Sequence, residues 1–119
     1  MDHALDRSRD ALFVERLRAK TLARGLAWAR GEHEGRYQVQ LGAFLVEVGE
    51  GAGGDPEILI CGDDGQAIEL LTPALLAEAA DDPGADQARA HAFVEIYDAA
   101  RRIALGVDKV IDTLILTLV

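Results

Sequence analysis

From Val110 to Val119 the chain places Val110, Ile111, Leu114, Ile115, Leu116, Leu118 and Val119 round almost the whole circumference of a helix. Water cannot face most of such a surface, so the segment must be sandwiched within the domain or buried between subunits. Gly106 stops the helix before it, and Asp108 is expected to cap this last one. The rest of the chain must supply the cover or leave it to a partner.

At 119 residues the chain is expected to form one α+β domain over residues 1–119, with residues 1–9 frayed. Its aromatic residues are Phe13, Trp28, Tyr37, Phe44, Phe93 and Tyr97, so Leu, Ile, Val and Ala must build most of the core. Asp10 to Arg30 reads as a first helix with two apolar faces. Phe13, Val14, Leu17, Thr21 and Trp28 share one face, and Ala11, Ala19, Leu22 and Leu26 gather opposite. One face should meet a sheet; the other wants helices or a second subunit.

After a turn at Gly31 to Gly35, Tyr37 to Val48 alternates with the period of a strand. Tyr37, Val39 and Leu41 hold one parity while Phe44, Val46 and Val48 hold the other. A β-bulge or sharp bend near Gly42 and Ala43 would return all six to one face. Beyond the Gly49 to Pro56 loop, Ile58–Cys61 and Ala67–Leu71 read as a hairpin joined by Gly62, Asp63, Asp64 and Gly65. Thr72 and Pro73 start a short helix to about Ala79, ended by Asp81, Asp82, Pro83 and Gly84. Asp86 should cap a long helix to about Leu105, with a stripe of Ala90, Phe93, Val94, Tyr97, Ala100, Arg101 and Ala104. The expected architecture is a three-stranded antiparallel β-meander packed against an N-terminal helix and C-terminal helices.

Several of these positions are similar to a pattern in small bacterial proteins of no assigned function. They are Thr21, Gly25, Leu26 and Trp28, then Tyr37 with Leu41 and Gly42, and then the Asp63, Asp64, Gly65 hairpin. The pattern closes on Ile96, Tyr97, Ala100, Arg101, Ala104, Leu105, Gly106, Val107 and Asp108. Cys61 with Gly62 and the long Gly49 to Asp55 loop depart from it. The resemblance implies an α-β-β-β-α arrangement and brings no catalytic residues with it.

Charge narrows the choice of partners. From Tyr37 to Ala88 there is no lysine or arginine, against eleven carboxylates. The flanks, residues 1–36 and 89–119, carry +2 and 0, so this block accounts for more than the whole net charge of −9. Such a surface repels nucleic acid and favours a cationic protein or plain solvation. The basic first helix, with Arg16, Arg18, Lys20 and Arg24, could steer one copy toward the acidic block of another.

No constellation names a reaction. Asp63 and Asp64 suit a tight turn, and their neighbours lack the spacing of a calcium loop. Glu32, His33 and Glu34 are adjacent in a glycine-flanked turn, His91 and Glu95 suit a surface helical pair, and the inventory of His3, His33, His91 and Cys61 is poor for zinc. Cys61 lies in an apolar run, where an inert buried thiol is expected. The glycines before Asp55 lack the lysine of a phosphate loop. No catalytic, cofactor or metal residue is therefore assigned.

The expected function is a non-enzymatic protein-interaction module of a bacterial cytoplasm, self-associating as a homodimer through Leu22, Leu26, Leu114, Ile115, Leu118 and Val119. The alternative is an acidic antitoxin- or immunity-like protein that meets a basic partner with Glu47, Glu57, Asp63, Asp64 and Glu69. Neither nucleic acid nor membrane is an expected partner.

Overall fold

A computed structural model describes residues 8–77 and 83–119. Among these residues it is an α+β fold of nine elements: α1 Ser8–Leu22, β1 Ala29–Arg30, β2 Tyr37–Leu41, β3 Phe44–Glu50, β4 Pro56–Cys61, β5 Ala67–Leu71, α2 Pro73–Ala77, α3 Pro83–Leu105 and α4 Val107–Thr117. The sheet has five antiparallel strands in the order β1-β2-β3-β4-β5, rather than the expected three. The α-β-β-β-α arrangement that the resemblance implies is corrected in the same way.

The strand count differs for two reasons: Ala29–Arg30, expected at the end of the first helix, forms β1, and the slip of phase at Gly42 and Ala43 is a hairpin and no bulge. Leu41 pairs with Phe44, Val39 with Val46 and Tyr37 with Val48. Two residues therefore connect β2 to β3, with Gly42 at φ 63° supplying the positive dihedral such a turn needs. Odd residues of β2 and even residues of β3 face the same side across this connection. The one bulge in the sheet lies elsewhere: Ile60 pairs with Glu69 but Cys61 with Ala67, so Ile68 is the extra residue.

The first helix ends at Leu22, eight residues before Arg30. Arg24 takes a left-handed φ of 62°, its N–H reaches the Thr21 carbonyl at 3.0 Å, and the Gly25 N–H reaches Lys20 at 2.9 Å. This is the paired hydrogen-bond pattern that closes a helix, with arginine where glycine is commoner. The glycine one position later hid the stop. Trp28 thus lies beyond the helix, and its indole N–H donates to the Thr21 hydroxyl at 3.2 Å, both groups buried.

At the other end of the sheet the Thr72 hydroxyl accepts the Leu75 N–H at 3.2 Å, capping α2 as its sequence predicts. The expected stop at Asp81 and Asp82 lies outside the described residues. Pro83 and Gly84 are not linkers: α3 begins at Pro83, three residues before the expected cap Asp86. Its buried stripe is Ala92, Phe93, Ile96, Ala99 and Ala100, while Val94 is exposed, so the helix is rotated relative to the sequence expectation.

That rotation has a cause. α3 packs against β1 to β4 on one side and against α1 and α2 on the other, so it buries two faces rather than one. α1 lies chiefly on α3 and not, as expected, on the sheet. Val14, Leu17, Val46, Val48, Ile58, Leu71, Leu76, Phe93 and Ile96 form one continuous core between these layers. Trp28 and Tyr37 join it, and the rest apart from Phe93 is aliphatic.

Because Thr21 is fully buried, replacing it with the isosteric valine removes the hydroxyl that accepts the Trp28 indole N–H. Thr21→Val should cost about 1–3 kcal/mol of stability. Urea unfolding followed by Trp28 fluorescence measures it.

Candidate functional site

α4 starts where Gly106, at φ 62°, breaks the path of α3. Asp108 does not cap it: no side chain caps α4, and Asp108 instead sits in its first turn. There its carboxylate accepts from Arg102 at 2.7 Å and from Arg24 at 3.5 Å. The hydrogen bond from Arg102, opposed by partial desolvation and helped by both positive charges, holds Asp108 below the usual carboxylate range. These contacts tie the start of α4 to the ends of α3 and α1.

Beyond that tie nothing covers the helix among the described residues, and no residue of α4 is buried. Leu114 is 53% exposed, Ile115 56%, Leu118 85% and Val119 102%. Thr113 and Thr117 turn their hydroxyls back to the carbonyls of Lys109 and Thr113, both at 3.0 Å, which spends their polarity within the helix. An apolar groove of about 380 Å³ runs along Leu105, Gly106, Lys109, Val110, Thr113 and Leu114.

The molecule is correspondingly long, 63 × 37 × 27 Å, with a radius of gyration of 15.8 Å. A compact chain of this length would have about 13.5 Å. Of the other two expected contact residues, Leu22 is 40% exposed and Leu26 is half-buried against the core. The Arg24–Asp108 pair brings their end of α1 to the start of α4.

The five expected acidic residues do not form one shared face. Glu47 and Glu57 lie on the sheet side away from the helices, where Arg36 bridges them: Nε to Glu47 at 2.9 Å and Nη2 to Glu57 at 3.1 Å. All three side chains are less than one-fifth exposed. Burial disfavours the guanidinium charge, but the hydrogen bonds and charges of Glu47 and then Glu57 outweigh it and raise the Arg36 pKa. Asp63 and Asp64 occupy the β4–β5 turn, where Asp64 accepts the Gln66 N–H at 3.0 Å. Glu69 lies on the exposed part of β5.

Sequence reasoning missed Arg36, which ends the basic segment one residue before the cation-free block. The signal was the hairpin at Gly42: continuing its register sets Arg36 opposite Gly49, which pairs with Glu57 two residues beyond Glu47. A Cβ at Gly49 would lie 2.6 Å from Arg36 Nη1, so the glycine gives the guanidinium room to cross the strand.

A second ionic cluster straps α1 to α3. Arg18 donates to Glu95 from Nε at 2.9 Å and Nη2 at 3.2 Å, and His91 lies 3.6 Å from the same carboxylate. The expected His91–Glu95 pair is present, with Arg18 as the stronger partner. The Arg18 hydrogen bonds, set against some desolvation, lower the Glu95 pKa.

The turn carrying Glu32, His33 and Glu34 borders a cleft of about 410 Å³ with Arg30, Arg36 and Leu105. Tyr97 fixes it by donating to the Gly35 carbonyl at 3.3 Å and packing on Tyr37 at 5.8 Å. Among the described residues no three His, Cys, Asp or Glu side chains gather to hold a metal ion. Cys61 is buried and unpaired, as its apolar run suggests. No described helix is long and apolar enough to cross a membrane.

Neither protein-family models, nor curated proteins, nor solved structures give a match to this chain. The geometry alone carries the functional reading.

Arg36→Met strands two half-buried carboxylates and should destabilise the fold by about 1–3 kcal/mol, less than a fully buried charge would because water still reaches the site. Adding Glu47→Gln and Glu57→Gln to it should recover most of the loss, as measured by urea unfolding. For Glu95 the folded pKa is depressed, so its stabilisation is present above its unfolded pKa and lost as pH falls through the folded value. Stability measured across the acid range should fall less steeply in Glu95→Gln than in the wild type.

Proposed function

We propose that this protein is a non-enzymatic interaction module that self-associates through α4, with Leu114, Ile115, Leu118 and Val119 at the contact and Leu22 and Leu26 at its rim. The observation that carries the reading is a helix with no buried residue and apolar side chains on most of its circumference. Monomeric proteins rarely leave so continuous an apolar surface in water. Covering it recovers roughly 25 cal/mol for each Å² removed from solvent.

A second copy suits this surface because an isologous contact needs one patch to serve as both halves. α4 carries Lys109 and Asp112 three residues apart. An antiparallel pair of α4 helices can set each Lys109 toward the Asp112 of the other copy, whereas a parallel pair aligns like charges. The Asp108 tie to Arg102 and Arg24 holds the helix out from the body at a fixed angle, which reduces the ordering lost on pairing. A reducing cytoplasm fits the single buried thiol. The net charge of −9 speaks against nucleic acid as the partner.

Sedimentation at tens of micromolar should show a dimer. Leu114→Asp and Leu118→Asp should each weaken it at least tenfold while leaving the far-UV circular dichroism unchanged, since neither side chain contributes to the core. A wild type that sediments as a monomer would remove the proposal.

A further inference from the structure

We propose that the outward face of α1 is a second interaction surface, which seats an acidic amphipathic helix of another protein. Of the two apolar faces in the α1 sequence, α3 covers one, while Leu12, Ala19 and Ala23 on the other side are exposed, Leu12 by 52%. The Ala23 N–H reaches the Ala19 carbonyl at 3.1 Å, so the helical path carries through Ala23. At ~100° per residue these three side chains fall along one line, and Arg9, Arg16 and Lys20 run beside them on one flank.

The cations of this helix divide into two sets. Arg18 is tied to Glu95 and Glu15, and Arg24 to Asp108, so both are engaged inside the molecule. Arg9, Arg16 and Lys20 are exposed and pair with no carboxylate among the described residues. No position three or four away from Arg16 or Lys20 holds a carboxylate, so neither has a helical ion pair to neutralise it. They are themselves four residues apart, a like-charge spacing that weakens a helix. An anionic partner relieves that repulsion.

The geometry selects the occupant. A strip of one leucine and two alanines lets a second helix approach closely, and the cationic flank calls for carboxylates along one side of it. Two copies paired through this face would bring Arg16 and Lys20 against their own kind, which disfavours a second α1 as the cover. A lipid surface finds only Leu12 to take up, and the net charge of −9 repels nucleic acid. The same charge turns an acidic partner away from most of the molecule, so the stripe also fixes where it docks. Leu12 and Arg16 precede Arg24, the tie to α4, by eight residues or more, so this surface goes beyond self-association and stands or falls separately.

The test uses the full chain and a blocked synthetic peptide three heptads long, with leucine along its seam and glutamate on both flanks, followed by calorimetry and amide chemical shifts. Binding should shift the amides of residues 9–23 foremost, weaken as salt rises, and fall at least tenfold in Arg16→Glu and in Leu12→Asp. Leu114→Asp should bind as the wild type does. Far-UV circular dichroism checks that each variant keeps its helices, and should Leu12→Asp lose them, Lys20→Glu takes its place. Absence of binding, shifts confined to other elements, full affinity in Arg16→Glu, equal binding of a peptide with glutamine in place of glutamate, or retention on phosphatidylserine vesicles that Arg16→Glu abolishes would overturn the proposal.

Discussion

α3 has to be buried on two sides at once, and the packing of the molecule follows from that constraint. Ala92, Ala99 and Ala100 keep the helix slim, while Phe93 and Ile96 fill the space between α1 and the sheet. Interiors are packed too densely to forgive a lost methylene at such a junction. A sheet covered by one helix, which is in turn covered by another, leaves α1 with little direct purchase on the strands. It is held instead through α3, by apolar contact and by the Arg18–Glu95 strap.

This layering uses up the available cover before the chain reaches α4. Gly106 turns the backbone away from the stack, and Asp108 pins the new direction to Arg102 and Arg24. The result is an apolar helix standing clear of the body. On the far side no described residue forms a second layer, and the outer face of the sheet is made tolerable in water by the Arg36 bridge and by Gln38 and Gln40. The two ends of the molecule therefore present different chemistry: greasy helix at α4, acidic pleated edge at β5.

Much of this was legible in the residues. The Thr72 cap, the β4–β5 hairpin, the Gly106 stop and the apolar circumference of α4 all follow from local rules that need no knowledge of the rest of the chain. The misreadings have equally local causes. A two-residue hairpin and a bulge both invert the parity of a strand, so alternation alone could not tell them apart at Gly42. The early end of α1 was concealed because arginine, not glycine, takes the left-handed position at residue 24.

By itself the sequence determined the helical or strand character of every element except β1, the cation-free stretch and the surplus of apolar helical surface, because periodicity, turn chemistry and charge are properties of neighbours along the chain. Tertiary structure alone decided that Arg36 would gather Glu47 and Glu57, that α3 rather than the sheet would receive α1, and that Glu69 would occupy the outward N–H of Leu70. Those outcomes depend on strand register and on which face of a helix meets which layer, and both are fixed only when distant segments pack together.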